Sequence, residues 1–170
     1  MNKIILLIFA AIFAMSAPDV LARDTRNNYS VADVLQDPEN AARLKGVSFY
    51  FGEQAHPAIK INHGEDRTNK KTNAFGKSDL KACQRVMMSA MLQLHQRAQS
   101  LGANAVVNIK SNYKDNVVIS DTEYVCGAGA IMAGVALIGT FVEVEAAEPM
   151  EAETESVAEP ESATETESEE

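Results

Sequence analysis

The chain lacks the residue spacings that mark the common classes of enzyme. It contains no Ser-His-Asp arrangement, no pair of catalytic carboxylates and no glycine-rich dinucleotide fingerprint. The segment NAFGKS, which ends at Ser78, imitates the end of a phosphate-binding loop. However, Lys71 stands where that loop needs glycine, and a polar stretch precedes it in place of a strand. The sequence therefore predicts no cofactor and no enzymatic activity, and an ATPase or excinuclease activity in particular has no support.

Cysteine is scarce, since Cys83 and Cys126 are the only two in 170 residues. Neither lies near the N-terminus, so lipid attachment there is not expected, and they do not form the Cys-x-x-Cys pair typical of catalytic dithiols. In an exported protein an even number of cysteines predicts a disulfide. Closing a loop of about forty residues would stabilise the fold by roughly 3–4 kcal/mol. Two separate buried thiols, or a redox pair, are the alternatives.

The first 22 residues predict export. Lys3 provides a positive n-region, and residues 4–14 form an unbroken apolar segment. Val20 and Ala22 occupy the −3 and −1 positions of a cleavage site. This arrangement is typical of a secretory signal peptide and is too short for a membrane anchor. We therefore expect cleavage after Ala22 and a periplasmic protein.

Positive charge is absent from the end of the chain. Residues 143–170 contain twelve Glu and no Lys or Arg, which predicts a disordered acidic tail over residues 145–170. Residues 23–142 carry fourteen Lys and Arg against eleven Asp and Glu. This near-neutral body is long enough for one domain. It argues against nucleic acid as a partner, because phosphate binding needs a clustered basic surface.

The first half of the body predicts little regular structure. We expect a flexible leader at residues 23–29, and residues 30–46 indicate two short helical turns with capping residues. A short strand follows at residues 47–51. The next segment is polar, with a candidate edge strand at residues 58–61 and an exposed loop at residues 68–77.

One long amphipathic helix is predicted after Ser78, because apolar residues recur at spacings of three and four. These residues are Leu80, Cys83, Met87, Ala90, Met91, Leu94, Ala98 and Leu101. Gly102 suits a left-handed C-cap. Asn104 tolerates a left-handed turn and can bond the backbone.

Strands after the helix complete the predicted fold. Ala105, Val107 and Ile109 alternate with Val106, Asn108 and Lys110 and predict a strand with one solvent-exposed face. The fold class is therefore α+β, with one long helix packed on a small antiparallel or mixed sheet in the order β-α-β-β. Residues 46–144 form this domain, and residues 23–45 provide the leader and short helices.

Residues 125–142 contain no charged side chain and are almost long enough to span a bilayer. A span here would leave a side rich in Glu and without Lys or Arg, the reverse of the positive-inside bias. Gly134 and Gly139, among β-branched residues, suit bulged buried strands. We therefore expect no membrane span.

The segments LGANAVVNIKSNY and YVCGAGAIMAGVALIGTFVEV, which follow the amphipathic helix, resemble the YbjQ-like superfamily of small domains labelled heavy-metal-binding. The cysteine before the last strand makes the chain similar to the secreted RcsF-like variant. The resemblance covers roughly residues 46–144. It implies a β-α-β-β fold, often assembled into rings, and no established chemistry. The chain departs from the RcsF-like pattern because it lacks the lipid-bearing cysteine and has two thiols in place of four, so a role in envelope-stress signalling does not carry over.

The candidate metal ligands are His56, His63 and Asp66. Zinc sites need about four converging ligands, usually in tight sequence pairs, and the six-residue gap between the two histidines provides none. The sequence thus favours an exported, non-enzymatic interaction or assembly module whose partner is a protein, either itself or an envelope component. A small-ligand or metal-binding module at residues 56–66 is the alternative, and a thiol redox protein is the third possibility.

Overall fold

The computed structural model describes residues 23–145, without the side chain of Asp24. The predicted signal peptide at residues 1–22 and the predicted acidic tail beyond Glu145 lie outside these residues. Seven strands and three helices follow one another: β1 (Asp24–Ser30), α1 (Ala32–Leu35), α2 (Pro38–Arg43), β2 (Ser48–Phe51), β3 (Ile59–Asn73), α3 (Asp79–Leu101), β4 (Ala105–Tyr113), β5 (Asn116–Val118), β6 (Glu123–Gly129) and β7 (Met132–Val144).

All seven strands belong to one mixed sheet. The order β1-β6-β7-β4-β2 forms its main path, β3 pairs with the free edge of β7, and β5 pairs with β4. Only β2 and β4 run parallel. The predicted α+β class with one long helix is confirmed, but the sheet is much larger than the predicted β-α-β-β arrangement.

The predicted flexible leader at residues 23–29 is wrong. β1 pairs with β6 along its whole length, from Asp24 opposite Gly129 to Ser30 opposite Glu123. Its polar sequence carries little strand signal, because the pairing depends on backbone hydrogen bonds to β6. The core also includes Val31, which directly follows β1. The N-terminal segment is therefore part of the domain.

The predicted exposed loop at residues 68–77 is also wrong over most of its length. β3 is a 15-residue strand that pairs with β7 from one end to the other. Thr68 is its only buried residue, because β3 is an edge strand and most of its surface is exposed to solvent. Such a strand lacks the apolar alternation by which strands are recognised.

α3 follows the sequence expectation closely. The Ser78 hydroxyl accepts a hydrogen bond from the Lys81 N–H at its start, and Gly102 ends it with φ 75°. The apolar stripe is buried against β3, β6 and β7, except for Leu101, which is partly buried, and Leu80, which is 45% exposed. The helix therefore covers one face of the sheet, and we call the opposite side the outer face.

A bulge in β4 changes which residues meet the helix. The register with β7 shifts between Val107 and Lys110, and Asn108 has φ 52°. Val106 and Ile109 therefore both join the main core under α3. Ala105 and Val107 lie in a second, smaller cluster on the outer face. The prediction that Ala105, Val107 and Ile109 share one face is wrong, because the extra residue of a bulge reverses the alternation.

The outer face is divided into a covered and an open part. β2 and β3 lie on opposite sides of the β4–β7 pair, so the connection at residues 52–58 must cross that pair. Tyr50 packs against the second cluster, and its ring lies 5.7 Å from that of His56. This connection therefore covers the end of the outer face near Val144. The other end, near the turn between β6 and β7, is left open by the residues that the structure describes.

The uncharged residues 125–142 form most of β6 and β7. Within residues 23–145, no helix has both the length and the apolar character that crossing a bilayer requires.

Candidate functional site

The three candidate metal ligands do not converge. His63 Nε2 lies 3.1 Å from a carboxylate oxygen of Glu143, and Asp66 pairs with Arg97 at 3.3 Å. His56 Nδ1 lies 2.9 Å from a neighbouring backbone carbonyl oxygen. Across residues 23–145, no three His, Cys, Asp or Glu side chains are grouped so that they could hold a metal ion. The geometry therefore offers no support for the metal-binding alternative.

Cys83 and Cys126 form a disulfide that joins α3 to β6, as the cysteine count predicted. Their Cα atoms are 5.9 Å apart, and their relative exposures are 0% and 1%. A redox catalyst needs at least one sulfur that a partner thiol can reach. The burial of both residues makes the bond a structural link between helix and sheet.

Asn104 connects the start of β4 to the end of β7. Its amide donates to the Val144 carbonyl at 3.0 Å and accepts from the Val144 N–H at 2.8 Å. Asn104 is not among the described residues with positive φ, so it bonds the backbone without adopting the left-handed turn that asparagine tolerates. Its side chain extends the β4–β7 ladder by one further pair of hydrogen bonds.

Glycines keep space open on both faces of β7. A Cβ at Gly139 would lie 2.6 Å from Val106 Cγ1, so this glycine allows close packing beneath α3. On the outer face, a Cβ at Gly127 would overlap the ring of Tyr113, and one at Gly134 would lie 3.5 Å from it. Gly127 and Gly134 are paired neighbours of β6 and β7. The phenol of Tyr113 thus lies over a two-glycine platform.

A groove runs across the open part of the outer face. It consists of two adjoining clefts of about 470 Å³ and 400 Å³, which share Asn69, Lys114 and Ala136. Its floor is made of small residues, chiefly Gly134 and Ala136 of β7. β3 forms one wall, and the β4–β5 turn, beginning at Tyr113, forms the other. We call this feature the cationic groove for the reason that follows.

Positive side chains outnumber negative ones in the lining of the groove. Arg67 and Lys71 project from β3, Lys114 from the opposite wall and Arg23 from one end, against a single carboxylate, Asp115. In β3, Arg67 and Lys71 are four residues apart and share a face, because their partners on β7 are Ile138 and Gly134. No ion pair within residues 23–145 involves either side chain, whereas Arg23 pairs with Asp79. Among the residues that the structure describes, the groove therefore has an excess of positive charge.

Tyr113 adds an aromatic surface to the groove. The guanidinium of Arg26 lies 5.6 Å from the ring centroid, and Lys114 Nζ lies 5.7 Å from it. These distances are within the range of cation–π attraction, which holds both cations beside the ring. The wall formed by the β4–β5 turn is thus both cationic and aromatic.

A second cleft of about 510 Å³ lies beneath α1 and α2. It is lined mainly by apolar side chains such as Leu35, Leu44 and Phe49, with Lys45 at its edge. Its lining holds one cation, Lys45, and one carboxylate, Glu145, so it carries no excess of either charge. The cationic groove is therefore the better candidate, because it combines shape, charge and an aromatic side chain.

Comparison with known proteins adds no assignment. No protein-family model, curated protein or solved structure matches the chain. The functional argument therefore depends on the geometry of the groove.

The sequence did not reveal the groove residues. Arg67 and Lys71 lie in a segment that the sequence predicts to be polar and largely irregular. Because residues 23–142 are near neutral as a whole, their composition does not show that several cations lie on one face. One signal was available: Gly127 and Gly129 in β6, and Gly134 and Ala136 in β7, are small residues at alternate positions. In adjacent strands such alternation leaves one face of the sheet without side-chain bulk.

Proposed function

We propose that the protein is an exported, non-enzymatic module that binds an extended acidic segment of a protein partner in the periplasm. The observation that supports this function is the cationic groove, whose positive walls enclose a floor of glycine and alanine. Gly134 and Ala136 add no large side chain of their own to the floor, so a ligand can approach the sheet beside the Tyr113 ring. Arg67 and Lys71, which form no ion pair within residues 23–145, favour carboxylates at matching positions.

The location in the proposal has separate support. A predicted signal peptide occupies residues 1–22, and the disulfide between Cys83 and Cys126 suits an oxidising compartment. A partner in that compartment is a protein or a copy of this chain more readily than nucleic acid.

Peptide titration tests the groove directly. A fluorescent peptide with Glu at alternate positions should bind the mature protein, and its Gln counterpart should not. Arg67→Glu with Lys71→Glu should weaken binding by about a hundredfold, because two charge-assisted contacts become repulsive. Lys45→Glu with Lys81→Glu is the matched control, since it changes the net charge equally at exposed positions away from the groove. Equal losses in both double variants would show general charge attraction and remove the groove from the proposal.

Cross-linking in intact cells then addresses the partner. A photo-reactive residue at Asn69, in the groove, is compared with one at Gln96, on the exposed side of α3. The proposal requires products specific to position 69 that disappear when Arg67 and Lys71 are reversed in charge. Identical products at both positions would count against it.

Self-assembly is a second candidate function, and one observation favours it. Val117, Val118 and Ile119 are 53%, 39% and 60% exposed, and within the described sheet β5 pairs only with β4. An open edge beside consecutive apolar residues can pair with another copy. The resemblance to ring-forming YbjQ-like domains points the same way. Sedimentation should then show a discrete oligomer that Val118→Lys dissociates and Ile131→Lys does not. A monomer at every concentration would exclude this candidate.

A further inference from the structure

We infer that the acidic C-terminal segment of this chain, residues 159–170, docks in its own cationic groove and competes there with the external ligand. This regulation rests on the proposed function, because it concerns the same groove. The chain continues for at least 25 residues beyond Glu145, and these residues contain ten Glu and no Lys or Arg. Their charge is opposite to that of the groove, and covalent attachment keeps them beside it.

The spacing of the glutamates matches the spacing of the groove. Glu165, Glu167 and Glu169 occupy alternate positions, separated by Thr166 and Ser168. In an extended chain alternate side chains point to the same side, so the three carboxylates form one row, about 13 Å long. On β3, Arg67, Asn69 and Lys71 repeat the same alternate spacing, opposite Ile138, Ala136 and Gly134. A row of carboxylates can therefore face Arg67 and Lys71 together, with an amide between them.

The other side of the segment is small. Thr164, Thr166 and Ser168 alternate with the glutamates, and none of these three side chains is larger than threonine. They would face the floor of Gly134 and Ala136 and the ring of Tyr113. The groove thus has a charged wall for one side of the segment and a low floor for the other.

The number of residues after Glu145 determines which glutamates can reach Lys71. The chain leaves the sheet at Glu145, whose N–H bonds the Ala58 carbonyl at the covered end of the outer face. Lys71 pairs with Gly134, eleven residues back along β7, which corresponds to about 36 Å. Glu153 is eight residues beyond Glu145 and spans at most about 29 Å, so it falls short of Lys71. Glu165 is twenty residues beyond Glu145, so the chain is more than long enough for Glu165 to reach Lys71.

Tethering makes a weak interaction sufficient. Exposed ion pairs are individually weak and are screened by salt. A covalent connection of about twenty residues, however, holds the segment at an effective concentration on the order of millimolar. An external acidic ligand must displace the segment, so its apparent affinity falls by the fraction of groove that the segment occupies. Docking in cis would therefore set a threshold for partner binding that ionic strength can shift.

The experiment uses the mature, oxidised full-length chain with a photo-reactive residue at Asn69. At low salt, mass spectrometry should find an intramolecular cross-link from position 69 to residues 159–170. Glu165→Gln, Glu167→Gln and Glu169→Gln together should reduce it by about tenfold, because the facing carboxylates are lost. The matched variant, with Glu148→Gln, Glu151→Gln and Glu153→Gln, should retain it. The amide chemical shifts of residues 67–71, recorded without the cross-linker, should change in the first variant and not in the second.

Three outcomes would overturn the inference. The first is equal cross-linking in both triple variants, which indicates unspecific charge attraction. The second is an equal yield from a photo-reactive residue at Gln96. The third is cross-linking between isotopically distinct chains, which assigns the contact to a second copy. If the variant with Gln at positions 165, 167 and 169 binds the acidic peptide no tighter than the wild-type chain but still binds it, docking fails while the proposed function stands. If it does not bind the peptide at all, both fail.

Discussion

The ring of Tyr113 occupies the space that a side chain at Gly127 would need. The same ring leaves 3.5 Å for a Cβ at Gly134, which is ordinary van der Waals distance. Two glycines at paired positions of β6 and β7 thus have different tolerances for a methyl group. The difference gives a matched pair of substitutions that tests the aromatic wall of the groove.

Gly127→Ala should displace the Tyr113 ring and weaken acidic-peptide binding by about tenfold, or about 1.4 kcal/mol. The melting temperature should change little, because the flexible end of the tyrosine side chain can move. Gly134→Ala should leave both the affinity and the melting temperature nearly unchanged. Peptide titration and thermal unfolding measure the two quantities. Equal affinities in the two variants would show that the position of Tyr113 does not matter for binding.

The disulfide should account for a large part of the stability of the domain. Cys83 and Cys126 are 43 residues apart in sequence, and closing a loop of this length restricts the unfolded chain by about 4 kcal/mol. Urea unfolding of the oxidised and reduced proteins should differ by about this amount. Cys83→Ala with Cys126→Ala should unfold at or below the denaturant concentration of the reduced protein. A difference below about 1 kcal/mol would mean that the reduced chain keeps compensating structure.

The sequence predicted the elements whose signals are local. The apolar spacing of α3, its cap at Ser78 and its end at Gly102 all depend on residues within one or two turns, and the structure has them. β3 was not predicted beyond residue 61, because most of its side chains are exposed to solvent and show no apolar alternation. Its strand conformation comes from pairing with β7, about seventy residues away. The β4 bulge at Asn108 likewise depends on tertiary packing. The cationic groove was hidden because its two walls come from separate parts of the chain.

Asn104 should matter for stability more than its exposed position suggests. Its amide makes two hydrogen bonds to Val144, so Asn104→Ala removes both and should cost about 1–2 kcal/mol. Asn104→Asp retains an acceptor for the Val144 N–H but loses the donor to the Val144 carbonyl. Its stability should therefore lie between that of the wild-type protein and that of Asn104→Ala. Urea unfolding provides the measurement, with Asn112→Ala as a comparison on the same strand. Wild-type stability in Asn104→Ala would show that water replaces the amide without loss.

Tyr124 should make the fold sensitive to alkaline pH. Its side chain is 1% exposed, and within residues 23–145 its hydroxyl has no hydrogen-bond partner. Burial, with smaller contributions from Tyr29 and Asp33, raises the pKa of this hydroxyl well above its usual value near 10. Above that pH the unfolded chain loses the proton while the folded chain keeps it. The contribution of the protonated Tyr124 to the free energy of unfolding is therefore fully present below about pH 10. Above that pH the free energy of unfolding falls by up to about 1.4 kcal/mol per pH unit.

Tyr124→Phe removes both the titrating group and the unpartnered hydroxyl. Unfolding free energies at pH 9 and pH 11 should decline less in this variant than in the wild-type protein, by about 1 kcal/mol. At pH 7 the variant should be at least as stable, because a buried hydroxyl without a partner is costly. Tyr29→Phe is the control, since Tyr29 packs against Tyr124 with ring centroids 5.9 Å apart but is only partly buried. An alkaline decline that persists unchanged in Tyr124→Phe would assign the sensitivity to other groups.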